Sequence, residues 1–200
     1  MVLIKKKPFS RMLHHVIEHA NRLKFGWKEV YGLLVGYNKG NHVLIEDAIP
    51  ITHGSSIHVQ FKMDDYIFAA TINDLLVEKT NKLFFVGWYH SHPGLGLFLS
   101  GTDIINHLGF QNLNSLACAI VFDHTLIELE EDGFMVFRLN SDFMGYHPIK
   151  YRIIDLKQSE KTKLNRIEEI YYRYVHYFRK KTIINTEKEV RNNLKRWLLI

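Results

Sequence analysis

The sequence has little cysteine, little proline and no long apolar run. Cys118 is the single cysteine among 200 residues. This excludes a disulfide within the chain and a zinc module built on several cysteines, and it favours a reducing compartment. We therefore expect a cytoplasmic protein. No run approaches the roughly 20 apolar residues of a membrane-spanning helix. The start, MVLIKKKPFS, does not have the pattern of a signal peptide, so we expect no membrane association.

The composition is that of a folded domain with an uneven charge. Hydrophobic residues make up 46% of the chain and charged residues 24%, which excludes a disordered protein. The net charge is +5, and residues 157–200 hold 12 Lys and Arg against 5 Asp and Glu. No nucleic-acid recognition motif accompanies this basic segment, so we expect no nucleic-acid partner. The sequence predicts one domain over 1–156 and a basic helical extension over 157–200.

Hydrophobic periodicity predicts an α+β fold, with a curved and mostly antiparallel sheet flanked by helices. Helical spacing of apolar residues predicts three helices in the body, at about 8–24, 64–79 and 102–112. Short apolar runs between turn residues predict strands at 30–36, 42–49, 57–61, 83–89, 116–122, 125–130, 134–139 and 149–154.

Polar residues of one chemical type gather at the end of the predicted strand 83–89. His90 and His92 are two residues apart, so their rings lie on the same side of extended backbone. Ser100 and Asp103 follow at the start of the next predicted helix. If that helix start folds back over the strand end, two imidazoles and one carboxylate converge, which is the donor set of a catalytic zinc. Each residue alone also fits an ordinary role, because Ser caps helices and Asp stabilises helix starts.

Hydrolysis at such a site needs a proton acceptor and a hydrogen-bond donor for the oxyanion. Ser100 is the local candidate for the donor. Glu29 immediately precedes the apolar run 30–36 and is the candidate for the acceptor. A lone Glu before a strand is more often a surface residue, so these assignments depend on the whole pattern rather than on any one position.

The whole pattern resembles the JAMM (MPN-plus) metalloprotease family. Glu29 is followed by His90-Ser91-His92, seven residues, Ser100, two residues and Asp103, which is the motif E…H-[ST]-H-x7-S-x2-D. The segment EVYGLLVG is similar to the family's E-x-x-G-x-x-x-G strand, and VGWYHSHPGLGLFLSGTDI is similar to the branch of proteasome-lid and signalosome isopeptidases. The resemblance covers about residues 9–155.

The resemblance implies a role for each matching residue. It implies that His90, His92 and Asp103 hold one zinc ion, that Glu29 is the general base for the attacking water, and that Ser100 stabilises the oxyanion. It implies a zinc-dependent isopeptidase that removes ubiquitin or a ubiquitin-like modifier from lysine. By the same resemblance, residues 52–66 form an insertion along the channel for the modifier's tail, and the loop 94–99 flanks that channel.

Two alternatives and several details stay open. The chain could instead be a non-catalytic scaffold subunit of a larger complex, although such members typically lose metal ligands, or a JAMM hydrolase of small peptide-like substrates. The resemblance suggests docking into a proteasome-like complex through the C-terminal helices. A second zinc is not expected, because Cys118 lies within an apolar strand. His107, one turn after Asp103, fits either a support for the metal ligands or a solvent-exposed position.

Overall fold

The computed structural model describes residues 1–20, 29–53, 63–126 and 133–154. The elements run in the order β1, α1, β2, β3, α2, β4, α3 and β5 to β8. The helices are α1 (Lys6–Ala20), α2 (Met63–Thr80) and α3 (Gly101–Leu113). The strands are β1 (Val2–Lys5), β2 (Val30–Lys39), β3 (His42–His53), β4 (Phe84–Ser91), β5 (Cys118–Phe122), β6 (Phe134–Leu139), β7 (Tyr146–Pro148) and β8 (Tyr151–Ile154).

The described strands form one mixed sheet in the order β7-β6-β5-β4-β2-β3-β1-β8. The pairs β2–β3, β2–β4, β5–β6 and β6–β7 are antiparallel. The pairs β4–β5, β1–β3 and β1–β8 are parallel. The predicted α+β class is confirmed, with antiparallel pairing in four of the seven described pairs.

The central strands are apolar on both faces because helices and loops cover both. Trp88 and Tyr89, neighbours on β4, are both fully buried although their side chains point to opposite faces. The hydroxyl of Tyr89 lies 2.8 Å from Nδ1 of His15 on α1. A side chain at Gly32 on β2 would collide with the Tyr89 ring and the Ile49 carbonyl. The glycine therefore lets the Tyr89 ring pack closely against β2.

The predicted elements match most of the observed ones, with two omissions. The hairpin of β2 and β3 turns at Gly40, in the predicted turn region. The short strands β1 and β7 were missed. Thr125 and Leu126, placed in a predicted strand, lie in a turn instead. The predicted strand 57–61, residues 127–130 and the boundary at 156/157 with its extension lie outside the described residues.

No described helix combines the length and the apolarity that crossing a membrane requires.

The hydrophobic core beside the site contains Trp88 and Leu99, which flank the two candidate histidines along the chain. Ala119 and Val121 of β5 belong to the same cluster. The end of β4 and the start of α3 are thus placed against a rigid, close-packed layer.

Candidate metal centre

The end of β4 supplies the two histidines of the candidate site. β4 is the fourth strand along the eight-stranded sheet and pairs with β2 on one side and β5 on the other. His90 is fully buried and His92 is 3% exposed. Their Nε2 atoms lie 3.1 Å apart, as expected for side chains two residues apart on one face of a strand. The ring of Trp88 stacks on that of His90, with centroids 4.3 Å apart, and so restricts its orientation.

The start of α3 supplies the carboxylate. Ser100 is the N-cap of α3, and its Oγ accepts a hydrogen bond of 3.2 Å from the backbone N–H of Asp103. In return the Asp103 Oδ2 accepts a bond of 2.7 Å from the backbone N–H of Ser100. This reciprocal capping box is a local consequence of the Ser-x-x-Asp spacing. It fixes the carboxylate over the end of β4.

The three candidate ligands form one buried cluster. Oδ1 of Asp103 lies 3.3 Å from Nε2 of His90, and its Oδ2 lies 3.3 Å from Nε2 of His92. One ligand atom from each residue can be chosen so that all three lie within 4.8 Å of one another. Two imidazole nitrogens and one carboxylate oxygen are a donor set typical of zinc. The residues therefore fit a single zinc ion.

The protonation states suit metal binding. Burial lowers the pKa of His90 below its ordinary value, although Asp103 opposes this shift. Burial acts to raise the pKa of Asp103, but the hydrogen bonds from His90, His92 and Ser100 outweigh it and lower the pKa well below its usual range. Both directions favour a neutral imidazole beside an ionised carboxylate, which are the ligand forms that a metal binds.

Glu29 is buried directly before the strand that pairs with β4. It is 7% exposed and immediately precedes β2, where Tyr31 pairs with His90 of β4. Continuing that antiparallel register by two residues places Glu29 opposite His92, on the face that carries both histidines. The backbone N–H of Val30 donates a 3.1 Å bond to Oγ of Ser91, which ties the two strands together at this point. The structure thus brings all five predicted residues to one region of the sheet.

Two functional candidates escaped the sequence analysis or were left ambiguous by it. Asp123, directly after β5, is 1% exposed, and no sequence pattern marks it as functional. Asp123 is 20 positions from Asp103 in the sequence, so local spacing does not indicate that it bonds to the loop after His92. His107 is fully buried, so the solvent-exposed alternative is wrong. Burial, with smaller contributions from Arg138 and His90, lowers the pKa of His107 to about 3.

The fold and this cluster agree with the family that the sequence matches. Residues 1–115 match the family described as JAB1/Mov34/MPN/PAD-1 ubiquitin protease, and the chain belongs to this family. Among its relatives, the COP9 signalosome complex subunit 5 of Kluyveromyces lactis is 35% identical over 159 residues, covering 76% of this chain and 40% of that protein. The ubiquitin carboxyl-terminal hydrolase RPN11 of Saccharomyces cerevisiae is 35% identical over 95 residues, covering 48% of this chain and 31% of that protein.

A solved structure shows the same fold. The solution structure of a protein from Desulfitobacterium hafniense superposes with a TM-score of 0.52, covering 80% of this chain and 97% of that one, at 20% sequence identity. The chain spans less than half the length of the two curated relatives named above.

Proposed function

We propose that this chain is a zinc-dependent isopeptidase that cleaves the bond between the C-terminus of ubiquitin or a ubiquitin-like modifier and a lysine. The observation that carries the proposal is the buried cluster of His90, His92 and Asp103, whose chosen ligand atoms lie within 4.8 Å of one another. Burying three such polar groups together is costly unless they are paired or bind a metal. The family membership and the names of the relatives support ubiquitin-like conjugates as the substrate class.

His90, His92 and Asp103 would hold the zinc. A zinc ion bound there supplies Lewis-acid chemistry, polarising the scissile carbonyl and lowering the pKa of water. The stacked ring of Trp88 restricts the His90 ring, and the capping box restricts the Asp103 carboxylate. Restricted ligands of this kind reduce the reorganisation that metal binding requires.

Glu29 is proposed to move the proton. Its carboxylate would take a proton from the attacking water and deliver it to the lysine amine as the C–N bond breaks. The pairing of Tyr31 with His90 supports this role, because the same register continued by two residues brings Glu29 opposite His92. Low exposure shields the carboxylate from bulk water.

Ser100 is proposed to stabilise the oxyanion. Its Oγ accepts the bond from the Asp103 N–H, and a hydroxyl has one proton of its own to donate. That proton is available to the carbonyl oxygen as negative charge develops on it. The same side chain therefore serves as helix cap and as donor.

The central experiment combines metal analysis with cleavage of a panel of substrates. The panel contains linear and lysine-linked ubiquitin conjugates, other ubiquitin-like modifiers and short peptides. We expect cleavage of a ubiquitin-like conjugate that a chelator abolishes. Glu29→Gln should retain zinc and lose roughly 10²- to 10⁴-fold in kcat, because only the proton acceptor is removed. His90→Ala and Asp103→Ala should lose zinc and activity together.

Matched variants control for general effects of substitution. Glu78→Gln changes an exposed carboxylate on α2, and His42→Ala changes an exposed histidine on β3. Both should keep zinc and activity. Cleavage that survives the chelator and Glu29→Gln would refute the mechanism. Wild-type protein that binds no zinc would support the scaffold alternative, and cleavage of short peptides alone would support the small-substrate hydrolase.

Assembly and location complete the proposal. The names of the two curated relatives place one in the COP9 signalosome and describe the other as a ubiquitin carboxyl-terminal hydrolase. We accordingly propose that this chain works as part of a complex, docked through residues 157–200. A cytoplasmic location is proposed from the single cysteine.

A further inference from the structure

The loop that joins the two halves of the site exposes apolar side chains. Residues 93–99, here called the 93–99 loop, connect His92 to Ser100. Leu95 is 59% exposed and Phe98 is 37% exposed, whereas Leu99 at the end of the loop is buried. The centroids of the Phe98 and His92 rings lie 4.8 Å apart. The loop therefore carries two partly exposed apolar side chains: Phe98 contacts the His92 ring, and the backbone N–H of Leu95 donates to the His92 carbonyl at 3.1 Å.

A buried carboxylate holds this loop. Asp123, at the end of β5, accepts hydrogen bonds from the backbone N–H of Gly94 at 3.0 Å and of Gly96 at 2.8 Å. It also accepts bonds from the backbone N–H of Thr125 at 2.9 Å and from its hydroxyl at 2.7 Å. Asp123 is 1% exposed. Burial of a carboxylate is costly, and here two of its four bonds fix an exposed loop.

The backbone of the loop is also specialised. Gly94 and Gly96 have φ values of +73° and +97°, a region that residues with side chains rarely adopt. A Cβ at Gly96 would meet nothing within 4 Å, so glycine is required there for conformation and not for space. The backbone N–H of His92 bonds to the Phe122 carbonyl at 2.7 Å and fixes the start of the loop. The loop is thus held at its start and twice along its length.

We propose that Asp123 is a positioning residue that holds the 93–99 loop so that Leu95 and Phe98 form an apolar contact for the substrate polypeptide beside the scissile bond. The substrate part rests on the proposed function. Chain segments that bury few of their own apolar side chains are otherwise mobile. Without Asp123 the loop would lose two charge-assisted hydrogen bonds, and the contact surface would no longer be preorganised.

The first measurement tests the loop without any substrate. Chymotrypsin cleaves after Leu and Phe, and the cleavage sites are mapped by mass spectrometry. We expect Asp123→Ala to be cut after Leu95 or Phe98 at least about tenfold faster than wild type, because two hydrogen bonds to a charged group are lost. Gly96→Ala should have a similar effect through strain at its positive φ, and it provides a second variant if Asp123→Ala does not fold. Thr125→Val is the matched control, because it removes one hydrogen bond from Asp123 and none from the loop.

The second measurement separates substrate contact from general damage. With the conjugate that the wild-type chain cleaves, Asp123→Ala and Leu95→Ser should raise KM about tenfold while kcat stays within about twofold and zinc content is unchanged. Leu113→Ser is the control, because Leu113 is 92% exposed on α3 and lies roughly 15 Å along that helix from Asp103. It should leave KM and kcat unchanged.

The outcomes distinguish the two parts. Wild-type proteolysis rates in both Asp123→Ala and Gly96→Ala would refute the positioning role. A fall in kcat with KM unchanged, or an equal rise of KM in Thr125→Val, would show that Asp123 is structural only. Unchanged KM in Leu95→Ser would refute the apolar contact. If the wild-type chain cleaves no conjugate, the proposed function and the substrate contact both fail, while the proteolysis still decides whether Asp123 holds the loop.

Discussion

At the scale of single residues, Asp103 combines two tasks that are usually separate. Its Oδ2 closes the capping box of α3 by accepting the N–H of Ser100, and both of its oxygens face an imidazole nitrogen. A carboxylate at a helix start is stabilised by the helix dipole. The ordinary role and the proposed metal-binding role of Asp103 therefore coexist, and the Ser-x-x-Asp spacing alone could not have separated them.

His107 shows what burial adds to a residue that was ambiguous in sequence. It lies on the same face of α3 as Asp103 and Gln111, both of which are buried. The Gln111 side-chain amide donates a hydrogen bond of 3.0 Å to the Leu139 carbonyl, and its Oε1 accepts one of 2.9 Å from the Leu139 backbone N–H. Among the described residues, neither ring nitrogen of His107 has a hydrogen-bond partner. Protonation of such a buried, neutral imidazole destabilises the folded state, because the resulting charge is shielded from water.

We therefore predict that His107 makes the metal-free protein less stable in acid. Its folded-state pKa is about 3, below the ordinary value of 6.5, so the unfolded chain binds more protons between these pH values. Titration of His107 therefore does not change the free energy of unfolding above about pH 6.5. As the pH falls from there toward 3, the free energy of unfolding decreases, with a slope of at most ~1.4 kcal/mol per pH unit. Urea unfolding at several pH values, in the presence of a chelator, measures this slope.

His107→Leu provides the comparison. It removes the titrating group while keeping an apolar side chain of similar size, so its free energy of unfolding should depend less on pH over the same range. His147→Leu, at an exposed histidine on β7, should keep the wild-type slope. Identical slopes for wild type and His107→Leu would contradict the prediction.

At the scale of elements, the site is the junction of one strand end and one helix start. The end of β4 and the residue after it deliver two side chains on one face, and the first turn of α3 delivers the third. The 93–99 loop that joins them is held because Asp123, directly after the neighbouring strand β5, accepts hydrogen bonds from two of its N–H groups. Secondary structure thus sets the direction of each ligand, whereas the hydrogen bonds to Asp123 act on the loop between them.

The N-cap of α3 gives a prediction that separates stability from catalysis. Ser100→Ala should lower the free energy of unfolding by about 1 kcal/mol, whereas Ser100→Gly should lower it by only a few tenths, because glycine is tolerated at N-caps. Both remove the proposed oxyanion donor, so both should lose about 10²-fold in kcat. Zinc content should stay constant, since the backbone N–H that bonds to Asp103 remains.

Urea unfolding, metal analysis and cleavage kinetics on the two Ser100 variants test this. A loss of kcat that follows stability, large in Ser100→Ala and small in Ser100→Gly, would mean that Ser100 acts only as a cap. Equal losses of kcat with unequal stabilities are the expected result.

At the scale of the whole molecule, the candidate metal centre connects elements that are distant in sequence. Glu29 directly precedes β2, His90 lies on β4 with His92 directly after it, and Asp103 lies on α3. A ligand that binds only the folded state stabilises it by mass action. Metal binding at this junction should therefore be measurable as global stability.

We predict that zinc raises the melting temperature of the wild-type chain. At a free zinc concentration 100 times Kd, the gain is about 2.7 kcal/mol, which corresponds to roughly 5–10 °C for a domain of this size. Thermal unfolding with zinc and with a chelator measures the shift. His92→Ala should abolish it and His42→Ala should preserve it. A shift that persists in His92→Ala would place the zinc elsewhere.

The sequence alone determined the class of fold and the five candidate site residues. Periodicity marked the helices and the central strands, because a helix or strand with one buried face repeats its apolar residues locally. The spacing of His90, His92, Ser100 and Asp103, with Glu29 before an apolar run, predicted the chemistry proposed for the site. Spacing carries this information because ligands on one strand face and in one helix turn are local in sequence.

The tertiary structure decided what depends on contacts between distant segments. The strand β1 was missed because its four residues gain their partners from β3 and β8, far along the chain. Packing buries His107, and the neighbouring strand brings Asp123 within hydrogen-bonding distance of two N–H groups of the 93–99 loop. Local sequence patterns do not predict such contacts, since burial and long-range hydrogen bonds exist only once the chain has folded.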